Sequence, residues 1–304
     1  MERAGATRTI GLRSSFHYPG QRYPLAVPER LRIACVQLTS RDDKAANVER
    51  AERLVAQAAA TGADVVLLPE KWNFIGEAME LHEAAEPLEG GTSIEAMAGW
   101  ARRHGITLVG GSITERREGR VKLSNTCVVF DPEGRITAVY RKIHLFDVEV
   151  GGHVYRESEA EEPGDEPVVV DAEGWRVGLS VCYDLRFPEL FRILAVEGAQ
   201  IVTVPANFTL YTGKDHWHIL LRARAIENQC YVVAAAQIGE TRPGRLSYGR
   251  SLIADPWGTV LAEAPDEECV IVAELDHARL ERIREQLPSL ASRQPGAYRR
   301  LSPA

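Results

Sequence analysis

No apolar run in this chain approaches the length of a membrane span, and no early stretch has the apolar centre of a secretion signal. Cysteine is scarce: there are five in 304 residues, an odd number with no paired spacing. That excludes a disulfide scaffold and predicts a protein of the reducing cytoplasm. Positive charge is also short, with 36 Lys and Arg against 43 Asp and Glu and a net charge of −7. A general nucleic-acid binder needs the opposite balance. There is no Gly-rich phosphate loop and no dinucleotide fingerprint, so Gly90-Gly91 and Gly110-Gly111 read as turns. No long period recurs, which excludes a solenoid.

What remains is the composition of a globular protein with ample core, 45% hydrophobic and 26% charged. Met1 to Arg30 mixes Gly, Ser, Arg and Pro without apolar patterning, and reads as a flexible or loosely docked N-terminal extension. From Leu31 onward strands and helices alternate without a linker. Residues 31–304 therefore read as a single α/β domain with a C-terminal tail. Strands are predicted at 33–38, 63–68, 106–113, 201–204, 231–237, 247–254, 259–264 and 269–275. Hairpins are predicted at 125–131 with 136–142 and at 168–171 with 175–181. Helices are predicted at 45–61, 93–104, 188–198, 216–228 and 276–286, the last capped by Asp276.

Cys182 stands where the apolar alternation of Val177 to Val181 runs into a helix opened by Pro188. A thiol on such a sharp turn is pushed into the open beside free backbone N–H groups, which favour thiolate and can hold an oxyanion. The other four cysteines (Cys35, Cys127, Cys230 and Cys269) are embedded in β-branched runs and read as core. Cys182 is followed instead by Tyr183, Asp184 and Arg186. Glu70 follows the strand at 63–68, and Lys142 ends the strand at 136–142. Catalytic groups of α/β folds gather at the carboxyl ends of strands. A carboxylate base, a thiol nucleophile and a fixed ammonium placed there suit acyl transfer. A His-activated thiol is the alternative, with His144, His153, His216 and His218 available. His216 and His218 point to different faces of a helix and make a poor metal pair.

The segments Leu67-Leu-Pro-Glu70, Tyr140-Arg-Lys142-Ile-His-Leu-Phe-Asp147 and Gly178-Leu-Ser-Val-Cys182-Tyr-Asp-Leu-Arg-Phe-Pro-Glu189 resemble the three signature blocks of the nitrilase superfamily of carbon–nitrogen hydrolases. The resemblance spans about residues 31–300. It implies a four-layer αββα sandwich that pairs into homodimers or larger homo-oligomers. It also implies that Glu70 is the general base, Lys142 the oxyanion lysine and Cys182 the nucleophile. Glu157, in Tyr155-Arg-Glu-Ser158, matches a second glutamate of the family that holds the lysine; from the residues alone it is one loop charge among several.

Cys182-Tyr-Asp184 points to the amidase branch, since true nitrilases usually carry Cys-Trp-Glu there. Leu221 to Gln237 and Ser247 to Thr259 look most like the deaminated glutathione amidases, with ω-amidases of 2-oxoglutaramate close behind and aliphatic nitrilases further away. Lys214-Asp215 departs from the Pro-Ala of the animal enzymes and so bears on the substrate loop. The implied reaction hydrolyses the terminal amide of a small carboxylated molecule through a thioester, with Lys142 and the Tyr183 N–H on the oxyanion and no metal or organic cofactor. Phe187, Asn207 and Phe208 are pocket candidates, and Arg186 is a candidate for a substrate carboxylate or for a structural ion pair. The partners expected are the amide substrate and a second copy of the chain, with neither nucleic acid nor membrane. A non-catalytic scaffold of the same fold is the reading from a different class.

Overall fold

The computed structural model describes residues 27–301, so most of the 1–30 extension lies outside the described residues. The strands are β1 (Arg30–Gln37), β2 (Val65–Leu67), β3 (Thr107–Val109), β4 (Ile113–Glu115), β5 (Ser124–Phe130), β6 (Ile136–Arg141), β7 (Asp147–Val150), β8 (His153–Arg156) and β9 (Val169–Ala172). They continue as β10 (Trp175–Leu179), β11 (Ile201–Thr203), β12 (Tyr231–Ala234), β13 (Ile238–Arg242), β14 (Arg245–Tyr248), β15 (Leu252–Ala254), β16 (Val260–Glu263) and β17 (Cys269–Asp276). The α-helices are α1 (Lys44–Ala60), α2 (Ala78–Ala84), α3 (Thr92–His104), α4 (Pro188–Val196), α5 (Leu210–Asn228) and α6 (His277–Gln286).

Two mixed sheets carry the fold, ordered β17-β1-β2-β3-β5-β4 with β6 on β5, and β16-β15-β12-β11-β10-β9. Each has three parallel strands at its centre, β1-β2-β3 in one and β10-β11-β12 in the other. The parallel strands are joined through α1 and α3 in the first sheet and through α4 and α5 in the second. Strand alternation decides which layer each residue joins. Ile33, Cys35, Val65, Leu67, Cys127 and Val129 enter the core shared with the second sheet. Their neighbours Ala34, Val36, Val66, Leu68, Val128 and Phe130 enter a separate core under α1 and α3. Leu190, Leu194, Trp217, Leu221 and Ala225 of α4 and α5 close the far side. This is the α/β four-layer αββα sandwich expected from the sequence.

The structure corrects four element boundaries. The strand expected over 106–113 is two strands, because Gly111 turns at φ 59° and has no room for a Cβ, which would lie 2.1 Å from the Pro69 carbonyl oxygen. The strand expected over 247–254 is split between a hairpin and a sheet by the positive φ of Gly249 and Arg250. Helix α5 starts six residues earlier than expected, capped by Thr209, whose side chain accepts from the Thr212 N–H. Inside α5, Gly213 makes room for the Tyr248 side chain. Between β10 and α4 a 3-10 turn, Cys182–Arg186, replaces a direct entry into the helix. The short elements α2, β7, β8 and β13 carry no apolar pattern strong enough to predict them.

Gly111 holds the turn against the carbonyls of Leu68 and Pro69, just before Glu70. Gly111→Ala combines a clash with backbone and a left-handed φ, and is expected to cost about 2–4 kcal/mol. Urea denaturation measures it; a loss under about 1 kcal/mol contradicts this reading of the turn.

Candidate active site

Strand direction places the charged groups on one edge. β2 and β3 run parallel, while β5 opposes β3 and β6 opposes β5, so β6 ends on the same side as β2. Glu70 beyond β2 and Lys142 at the end of β6 therefore meet, with 2.9 Å between Lys142 Nζ and Glu70 Oε1. The carboxyl ends of the second sheet arrive at the same edge, where Leu38 pairs with Gln237 and the Gln237 amide donates to the Glu70 carbonyl at 3.0 Å. Beyond β11, the Asn207 N–H donates to Glu70 Oε2 at 2.9 Å.

Cys182 follows β10 with φ 50°, in the left-handed region that a residue with a Cβ occupies at a cost of about 1–3 kcal/mol. Its N–H donates to the Pro205 carbonyl at 2.8 Å, and the Asp184 N–H donates to the Val181 carbonyl. Among the described residues the Tyr183 N–H, between these two, has no acceptor. Asp184 fixes the elbow to the lysine strand: its carboxylate accepts from the Val181 N–H, the Tyr140 hydroxyl and the His144 N–H at 2.7–3.0 Å.

The thiol is not pushed into the open. Cys182 is only 7% exposed and lines one wall of a cavity of about 310 Å³, together with Glu70, Lys142, Glu157 and Asn207. Burial pushes the Cys182 thiol well above its ordinary range; the Glu70 carboxylate pushes the same way, and Lys142 pulls back. The sequence expectation of a ready thiolate is therefore reversed, and the resting sulfur carries its proton beside a carboxylate able to take it. For Lys142, burial opposes the charge. Glu157 and Glu70 outweigh it and hold the ammonium well above the usual lysine range.

Glu157 lies 2.7 Å from Lys142 Nζ and also accepts from the Phe146 N–H at 2.7 Å. Burial opposes its charge, but Lys142 and Lys71 prevail and hold it well below the usual carboxylate range. Asn125 on β5 bridges both glutamates, its amide donating to Glu70 Oε1 at 2.9 Å and to Glu157 Oε1 at 3.0 Å. Sequence reasoning missed Asn125, which reads as an ordinary strand residue. It missed Lys71 as well, although Lys71 is adjacent to Glu70 and lines the cavity.

Of the residues expected to touch substrate, Asn207 is on the cavity wall, whereas Arg186, Phe187 and Phe208 are not. The 3-10 turn after Cys182 carries Arg186 and Phe187 away from the cavity lining, while Phe208 follows β11 and is buried against α5. Phe187 stacks on His144 at 3.6 Å between ring centroids, and Phe208 packs on Trp217 at 4.8 Å. Arg186 lies over the Tyr183 and Phe208 rings and meets His216 at 3.2 Å. Lys214 and Asp215 sit in α5, away from the cavity. Each histidine expected as a possible activator is engaged elsewhere or remote: His144 with Asp184, His216 with Arg186, His218 with Glu263, and His153 exposed on β8. The cavity rim brings Arg242 and Arg245 of β13 and β14 opposite Glu77.

A sequence model of the family described as Carbon-nitrogen hydrolase matches residues 32–285. The chain is 42% identical over 264 residues to a deaminated glutathione amidase of Synechocystis sp., covering 86% of this chain and 97% of that protein. It is 40% identical over 268 residues to omega-amidase NIT2 of Homo sapiens, covering 88% and 96%. The C. elegans NitFhit protein superposes with a TM-score of 0.84 at 38% identity, covering 90% of this chain and 67% of that one.

Because burial and the Glu70 charge keep the Cys182 thiol protonated, thiolate is scarce at neutral pH and grows only as pH rises past the ordinary thiol range. The difference in ultraviolet thiolate absorbance between the wild-type protein and Cys182→Ala should be absent at pH 7 and still rising at pH 9. A full thiolate signal at pH 7 would contradict the assignment.

Proposed function

The chain belongs to the carbon–nitrogen hydrolase family of the nitrilase superfamily, and from that premise we propose that it hydrolyses the terminal amide of a small carboxylated substrate and releases ammonia. The observation that carries this reading is the convergence of the Cys182 thiol, the Glu70 carboxylate and the Lys142 ammonium on one cavity wall. In the proposed cycle Glu70 takes the thiol proton as sulfur attacks the amide carbon. The carbonyl electron pair moves to oxygen, where the Lys142 ammonium and the Tyr183 N–H hold it. Collapse of this adduct breaks the C–N bond, and Glu70 returns its proton to the departing nitrogen, giving ammonia and a thioester. Glu70 then deprotonates a water that attacks the thioester, and the thiolate leaves and regains its proton. Glu157 and Asn125 keep the ammonium and the base in register.

The substrate proposed first is of the deaminated glutathione type, in line with the 42% identical relative. The ω-amide of 2-oxoglutaramate is the second reading, favoured by the 40% identical one. Both carry a carboxylate, and with Arg186 off the cavity wall that role falls to Arg242 and Arg245 at the rim. Glu77 lies 3.4 Å from Arg242 and 3.6 Å from Arg245, and Glu80 lies 2.8 Å from Arg242, so an incoming carboxylate would compete with these glutamates. Residues 31–304 are taken as the hydrolase domain and 1–30 as its extension. Exposed Ile193 and Val196 of α4, Ile219 and Ile226 of α5, and Trp257 support pairing with a second copy through the outer helices. Five unpaired cysteines support a reducing cytoplasmic setting.

Screening deaminated glutathione, 2-oxoglutaramate and neutral aliphatic amides for ammonia release tests the reading. Cys182→Ala should abolish turnover with an unchanged melting temperature, and turnover retained in that variant would sink the mechanism. Arg245→Gln should raise KM for the carboxylated amides by about tenfold, the size of one lost charged contact, while leaving neutral amides unaffected. An equal loss on both substrate classes counts against a carboxylate-binding rim.

A further inference from the structure

The charged groups of the site do not end at Glu157. Lys71, the residue after Glu70, places its ammonium 3.4 Å from Glu157 Oε1 and 2.9 Å from Glu161 Oε1. Glu161 is wholly buried, and Lys71 is the cation beside it. The backbone of Lys71 adopts φ 48°, an uncommon conformation for a residue with a Cβ, and its N–H is tied to Ser112 Oγ at 3.0 Å. A strained backbone and a buried carboxylate thus fix one lysine against Glu157. Lys142 holds the same carboxylate, at 2.7 Å from Oε2 and 3.0 Å from Oε1.

A buried carboxylate shared by two ammoniums has its oxygens pinned by both. Removing one cation frees it to turn toward the other, and Lys142 then follows. The desolvation cost of burying charge makes such groups move or neutralise when a partner is lost. The sequence reading had no use for Lys71 or Glu161, which pass for surface charges in Glu70-Lys71-Trp72 and Ala160-Glu161-Glu162.

We propose that Lys71, held by Glu161, is a positioning residue that locks Glu157 and through it sets the place of the Lys142 ammonium at the oxyanion site. The inference rests on the amidase reading for its effect on turnover, and on geometry alone for its effect on the thiol. Lys71 lines the cavity, so direct contact with substrate is the competing role.

The test replaces the pair with apolar groups of similar size, Lys71→Met with Glu161→Leu, which leaves no lone buried charge. On an amide that the wild-type enzyme turns over, kcat should fall by about tenfold or more, as for other residues that orient catalytic groups, with KM within about twofold. A wild-type kcat, or a rise in KM alone, overturns the proposal; the second result assigns Lys71 to substrate binding. If the double variant loses its melting transition, Lys71→Met alone supplies the same readouts. Iodoacetamide labelling of the Cys182 peptide, followed by mass spectrometry at pH 7, needs no substrate. Displacing Lys142 removes the cation that favours thiolate, so labelling should slow by about threefold or more. An unchanged labelling rate overturns the proposal even if the wild-type protein hydrolyses none of the amides, an outcome that by itself would defeat only the functional reading.

Discussion

A charge taken out of water must meet its opposite, and the site of this protein is built on that constraint. Glu70 and Glu157 alternate with Lys142 and Lys71 in a chain of ion pairs 2.7–3.4 Å long. Each isolated group costs several kcal/mol to desolvate, so none is stable there without its neighbours. Glu161 lies at the end of the chain, 2.9 Å from Lys71. Burial pushes its carboxyl up to about 8 and the Glu157 charge adds to this, while Lys71 pulls the other way.

The two sheets exist, from the standpoint of the site, to bring strand ends of the same polarity to one edge. Three-residue strands such as β2 and β11 suffice because they are buried on both faces, and packing holds them more firmly than their few ladder bonds. The elbow at Cys182 is the least favourable piece of backbone in the site. It is over-determined by the Pro205 carbonyl on one side and the Asp184 carboxylate on the other.

Much of this was legible in the sequence. Period-two alternation marked the main strands, Pro188 marked the start of α4, and the polar run after Cys182 set it apart from four core cysteines. What was not legible is informative. Glu157 and Glu161 share a stretch with Glu159 and Glu162, and only the folded chain buries the first pair and leaves Glu159 in water. Asn125 sits in a strand buried at all seven positions, so its amide gave no pattern. Arg186 misled because the chain between Cys182 and the helix opened by Pro188 is a 3-10 turn that rotates its side chain away from the cavity. The thiol misled in its charge: neighbouring N–H groups argue for thiolate, but burial beside Glu70 outweighs them. Sequence shows which groups are near in the chain; the balance of their fields is set in three dimensions.

The cavity wall comes from two kinds of structure. Its floor is made of strand ends locked between packed layers, while its rim is α2 and the hairpin β13–β14, short elements with exposed side chains and ion pairs between them. These parts differ in how far a substitution spreads. A change in the floor disturbs core packing and buried charge together, whereas a change in the rim disturbs little beyond the rim. A substitution at the rim can therefore change which compound reaches Cys182 while leaving Glu70, Lys142 and Glu157 in place.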